Sequence, residues 1–149
     1  MKALRSWWNL PSSDRRLVIQ VAFMMIMVRL ALRFLPVKIT RRLLAWDEPT
    51  CRMPAMNDPA YKDRVVWAVS AVGRQILGDG PCLTQALATQ WLLKRRGYRA
   101  SIHIGVTKDR NARLVAHAWV ESDGVIVIGG SQKDLERYTR LPSLERGWQ

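Results

Sequence analysis

Leu114-Val115-Ala116-His117-Ala118-Trp119-Val120-Glu121-Ser122-Asp123-Gly124-Val125-Ile126-Val127-Ile128 reads as two strands joined by a two-residue turn. Asp-Gly between two β-rich runs is a strong short-range hairpin signal, because both turn positions need positive φ. Pairing outward from the turn sets Ser122 opposite Val125 and His117 opposite Gly130. Alternation along the first strand puts Ala116, Ala118 and Val120 on one face and His117, Trp119 and Glu121 on the other. Upstream, Ala100 to Val106 alternates and is rich in Ile and Val, so it predicts a further strand, with Thr107 to Arg113 as a polar loop. The sheet is expected to be antiparallel.

Before these strands comes Gly80-Pro81-Cys82-Leu83-Thr84-Gln85-Ala86-Leu87, continuing to Arg96 with Gly97 as a stop. Proline suits the first turn of a helix, where its missing N–H has no partner to lose. Cys82 then falls in the first turn, where the helix dipole and free backbone N–H groups favour a thiolate and leave donors for an oxyanion. Taken alone, a cysteine there is more often a small buried residue. A lone histidine in a strand is usually an ordinary satisfied side chain, as His103 is expected to be. His117 differs by its company, 35 residues after Cys82 on an adjoining strand. A cysteine nucleophile needs an imidazole to take the thiol proton and return one to the leaving amine.

Further out, Ser12 or Ser13 is placed to cap a helix running to about Leu35, ended by Pro36. A short helix follows over Thr40 to Trp46. Asp47 to Pro59 contains Pro49, Pro54 and Pro59 and reads as a connecting loop holding Cys51, which has no assigned role. The chain therefore divides into a helical, basic and hydrophobic segment over 1–59 and a catalytic domain over 60–149. Tyr61 to Leu77 spaces Val65, Val66, Val69, Val72 and Ile76 as a helix does, and Gly78-Asp79-Gly80 stops it. The apolar run Leu17 to Val28 falls short of the roughly 20 residues a span needs. Arg29-Leu-Ala-Leu-Arg33 after it does not resemble a cleavage site. Packing on the core is the favoured reading, with a helix in the membrane interface as the other.

The chain has 149 residues, with 24 Lys and Arg against 12 Asp and Glu, a net charge of +12. Such a balance calls for an anionic partner: nucleic acid, membrane surface or acidic polypeptide. Residues 1–50 carry nine basic and three acidic side chains, 51–100 eight and three, and 101–149 seven and six, so the excess lies in the first two thirds. Two cysteines and two histidines exclude a four-cysteine zinc site and a disulfide scaffold, and no metal or cofactor is expected. Lys94-Arg95-Arg96 with Arg99 is the densest basic run, but it complements a helix C-terminus and no nucleic-acid signature accompanies it.

Gly80-Pro81-Cys82-Leu83, Gly97-Tyr98-Arg99-Ala100 leading into Ile102-His103-Ile104-Gly105-Val106, and Ala116-His117-Ala118-Trp119-Val120-Glu121 with Asp123-Gly124 together resemble the transglutaminase-like leader peptidases of lasso-peptide biosynthesis. The likeness covers about residues 61–130, and the basic, hydrophobic N-terminal segment more loosely. It implies an α+β, papain-like cysteine-enzyme core, a nucleophile helix packed on an antiparallel sheet. It implies Cys82 as nucleophile, its backbone N–H as oxyanion donor, His117 as general base and acid, and hydrolysis between leader and core of a precursor peptide. An ATP-using cyclase then acts on the freed core.

One departure stands out. The family usually carries an aspartate about twelve positions after the histidine, and here that position is Gly129, followed by Gly130. Asp123 lies about 20 Å along the strand from His117 and Glu121 about 13 Å, at roughly 3.3 Å per residue. Ser131, Gln132 and Asp134 can fold back, or a backbone carbonyl can orient the ring. The third role is left unassigned.

The resemblance further implies a separate leader-recognition protein, since residues 1–60 contain no strand pair to form that domain. Trp7, Trp8, Trp46 and Trp67 are candidate anchors for it, the precursor or the cyclase, with core packing the commoner role. A cytoplasmic location is expected from the weak signal-peptide likeness and the need for a reduced thiol. The competing reading is a non-catalytic basic binding or scaffold module, and acyl transfer to an amine is a third.

Overall fold

A computed structural model describes residues 11–34, 58–77 and 82–141. The short helix, the Pro-rich loop up to residue 57, Cys51, the Gly78-Asp79-Gly80 stop, Pro81, Trp7, Trp8 and Trp46 lie outside the described residues.

Helix α1 is Ser12–Phe34, and Leu17, Val21 and Met25, spaced by four, form its buried edge. Its first turn begins one residue earlier than a serine cap allows: the Pro11 carbonyl accepts from the N–H groups of Asp14 and Arg15. Ser12 is therefore the first helical residue. Helix α2 is Pro59–Val72, capped by the Asp58 carboxylate accepting from the Ala60 N–H, with proline in its first turn. It continues as a π turn over Gly73–Leu77. Gly73 is where Gln85 crosses: a Cβ there would lie 2.3 Å from Gln85 Nε2. Helix α3 is Cys82–Arg95, ended by Gly97 at φ 82°. Strand β1 is Ser101–Lys108, β2 Leu114–Ser122, β3 Val125–Ile128; a four-residue helix α4 (Gln132–Leu135) and a two-residue strand β4 (Thr139–Arg140) follow.

The four strands form one antiparallel sheet in the order β3-β2-β1-β4. One core runs through the three long helices and the inner sheet face, joining Leu17, Val21 and Met25 to Val65, Leu92, Leu93, Ile102, Ala118 and Val120. The architecture is α+β as expected, with α3 packed on β2 and β1. Tyr98 ties α3 to α2, its hydroxyl donating to the Asp58 carbonyl at 2.8 Å. Trp67 is 46% exposed.

The hairpin pairs Ser122 with Val125 as the turn predicts, but a bulge at Val120/Glu121 then shifts the register, setting Val120 against Ile128. His117 therefore does not pair with Gly130. Its partner in the sheet is Gly105 of β1.

Candidate active site

Cys82 is a free, half-buried thiol at the first residue of α3, resting against the core. A helix start leaves its first N–H groups without intrahelical partners, so backbone donors are available beside the sulfur. Gln90, two turns further on, donates to the Ala100 carbonyl and so folds α3 back over the start of β1.

His117 Nε2 lies 2.5 Å from the Gly129 carbonyl oxygen. A carbonyl only accepts, so Nε2 carries the proton and Nδ1 is the basic nitrogen. The ring is held from the sides by Trp119, with centroids 6.5 Å apart and planes 19° from parallel, and by Tyr138 at 5.3 Å. Gly129 has φ 107°. A Cβ on it would stand 2.4 Å from Trp119 Cβ and 2.7 Å from Trp119 Cα. The backbone passes too close to β2 for any side chain, which is why no carboxylate stands at this position. Its main-chain oxygen meets the imidazole instead.

The nearby carboxylates are engaged elsewhere. Asp123 receives Lys62 Nζ at 2.5 Å, and that hydrogen bond and charge hold its carboxyl below the usual range. Asp134 closes the capping box of α4, whose cap is Ser131, accepting from the Ser131 hydroxyl at 2.6 Å and the Ser131 N–H at 3.1 Å, which likewise lowers its carboxyl. Glu121 takes the Trp119 indole N–H at 3.2 Å and Arg140 at 2.7 Å on one oxygen, and lies 3.3 Å from His103 on the other. His103 is thus a partnered histidine stacked on Trp119 at 5.8 Å, as expected of it. Of the acceptors considered for the His117 ring, the carbonyl is the one in contact.

The structure brings the two candidate residues onto packed elements, and there the juxtaposition stops. His117 shares the outer sheet face with Trp119 and Tyr138, whereas Ala118 and Val120 turn inward to the helices. Among the described residues no hydrogen bond joins the Cys82 thiol to the His117 ring. Sequence reasoning missed Tyr138 as a wall of the imidazole site and the Glu121 network beneath it. The paired glycines after β3 were the available signal, since glycine there marks a close backbone approach. Among the described residues no three His, Cys, Asp or Glu side chains gather as a metal site requires.

A family model described as transglutaminase-like superfamily matches residues 21–143. No curated protein and no solved structure matches the chain.

Proposed function

The chain belongs to the transglutaminase-like superfamily, commonly cysteine-protease-type enzymes, and from that premise we propose that it is a cysteine peptidase removing the leader from a lasso-peptide precursor. The observation that carries the reading is the His117 Nε2–H bond to the Gly129 carbonyl, which fixes the tautomer a base needs. The proposed reaction requires the Cys82 sulfur and the His117 ring, which no hydrogen bond joins among the described residues, to come together; Nδ1 then takes the thiol proton, and the sulfur attacks the carbonyl carbon of the leader–core peptide bond. The electron pair moves to the carbonyl oxygen, where the N–H groups at the start of α3 are the available donors. Collapse breaks the C–N bond, the imidazolium protonates the departing core amine, and the leader stays as a thioester. Water, deprotonated by His117, then releases the leader carboxylate and restores the thiol.

The Gly129 oxygen orients the ring but brings no formal charge to the imidazolium, so the pair works as a dyad with a neutral orienter. A separate leader-recognition protein and an ATP-using cyclase are the proposed partners, in the cytoplasm. The test incubates the full chain, Cys82→Ala and His117→Ala with the precursor, in the presence and absence of the recognition protein, and reads products by mass spectrometry. Leader release by the wild type and loss in both variants supports the peptidase. A second reading is favoured by the lack of a thiol–imidazole hydrogen bond: a non-catalytic scaffold of the maturation complex, indicated if Cys82→Ala leaves the outcome unchanged or the wild type cleaves nothing with every partner present.

A further inference from the structure

Helix α1 has two apolar edges, and the core uses one. Opposite Leu17, Val21 and Met25 runs a second row, Ile19, Phe23, Ile26, Met27, Leu30 and Phe34, all exposed, with Phe23 at 67% and Phe34 at 74%. At 1.5 Å per residue this row is about 22 Å long. Its ends are basic: Arg16 precedes it, and Arg29 and Arg33 flank its last turns. The only acidic residue of the helix, Asp14, is ion-paired with Arg64.

We propose that this row seats the protein in the interface of an anionic lipid bilayer, with α1 lying along the surface. The row is aliphatic and phenylalanine-rich with arginine at its ends, the pattern of an interfacial helix, and it lacks the Tyr and Trp that dominate binding hot spots between proteins. A second copy is disfavoured because it would bring two chains of +12 together. Arginine at both ends, and the excess of positive charge, suit anionic headgroups, each basic residue near such a surface adding attraction. By length and composition alone α1 is long enough to cross a membrane. Crossing would strip Leu17, Val21 and Met25 from the core they share with α2 and α3, whereas lying flat uses both edges at once. The family match takes in residues 21–34 of α1.

The test is co-sedimentation of the full chain with phosphatidylcholine vesicles, with and without phosphatidylglycerol. The wild type is expected to pellet with the anionic vesicles, more weakly as salt rises. Phe23→Ser/Leu30→Ser should weaken that partition about tenfold or more while melting like the wild type, since both side chains are exposed. Arg16→Glu/Arg29→Glu should weaken binding to anionic vesicles only. Four results overturn the proposal: no binding to either vesicle, binding unchanged by Phe23→Ser/Leu30→Ser, a row-dependent dimer without lipid, or a pellet resistant to alkaline carbonate, which indicates crossing.

Discussion

Gly129→Ala places a methyl group where the structure has no room for one. Two costs combine. A non-glycine residue at φ 107° is strained by about 1–3 kcal/mol. The new Cβ also meets Trp119 at 2.4 Å through its Cβ and 2.7 Å through its Cα, so backbone rather than a flexible side-chain end must yield. Overpacking of this kind costs a further 1–3 kcal/mol or so. The expected total is about 4 kcal/mol, a fall in Tm of about 8–16 °C for a chain of this size. Gly124→Ala is the control, since Gly124 has φ 78° but nothing within 4 Å of a built Cβ. It should lose only the conformational part. Scanning calorimetry of both variants separates strain from collision. Below its melting point, Gly129→Ala should also cleave precursor more slowly, because the displaced strand carries the carbonyl that holds His117. If Gly129→Ala melts within about 2 °C of the wild type, or no lower than Gly124→Ala, the close approach of β3 to Trp119 is wrong, and with it the account of the missing aspartate.

Glu121→Ala leaves the buried Trp119 indole N–H without its acceptor and should cost about 1–3 kcal/mol by denaturant titration, with Glu121→Gln losing less. Lys62→Ala removes the ion pair to Asp123, half of which is exposed, and should move Tm by no more than about 2 °C. Asp109, Asp123 and Asp134 all have carboxyls held below the ordinary aspartate value by hydrogen bonds to them, so their contribution is present above that value and lost as pH falls through the lower folded values. Circular dichroism should accordingly show no loss from these groups between pH 8 and pH 5; a transition centred in that window, suppressed by Asp134→Asn, would contradict the assignment.

Much of the fold could be read from residue pattern because its signals are local. The Asp123-Gly124 turn set the start of the β2–β3 register, and Gly97 at φ 82° ended α3 where a glycine should. The bulge was not legible, since Val120 and Ile128 look like any other apolar pair and the extra residue is chosen by packing across the sheet. The same holds for the π turn at Gly73, which depends on Gln85 from another helix. In the candidate site, Cys82 and His117 announced themselves by residue type and position. The acceptor for His117 could not, because a main-chain oxygen has no letter in the sequence; Gly129 pointed to a tight passage without saying what was being approached. Tyr138 reaches the imidazole from a short segment after α4 that carries no periodicity.

An orienting group made of main chain differs in kind from one made of side chain. An aspartate can be protonated by acid, exchanged for asparagine, or lost by a single base change in its codon. The oxygen at Gly129 is present whatever residue is encoded there, and no substitution deletes it. What inheritance can change is only its position, through the space the neighbouring strand allows. Such a contact fails by displacement and never by removal, so damage at this place is graded, and a smaller residue at Trp119 is the change that returns room to the strand.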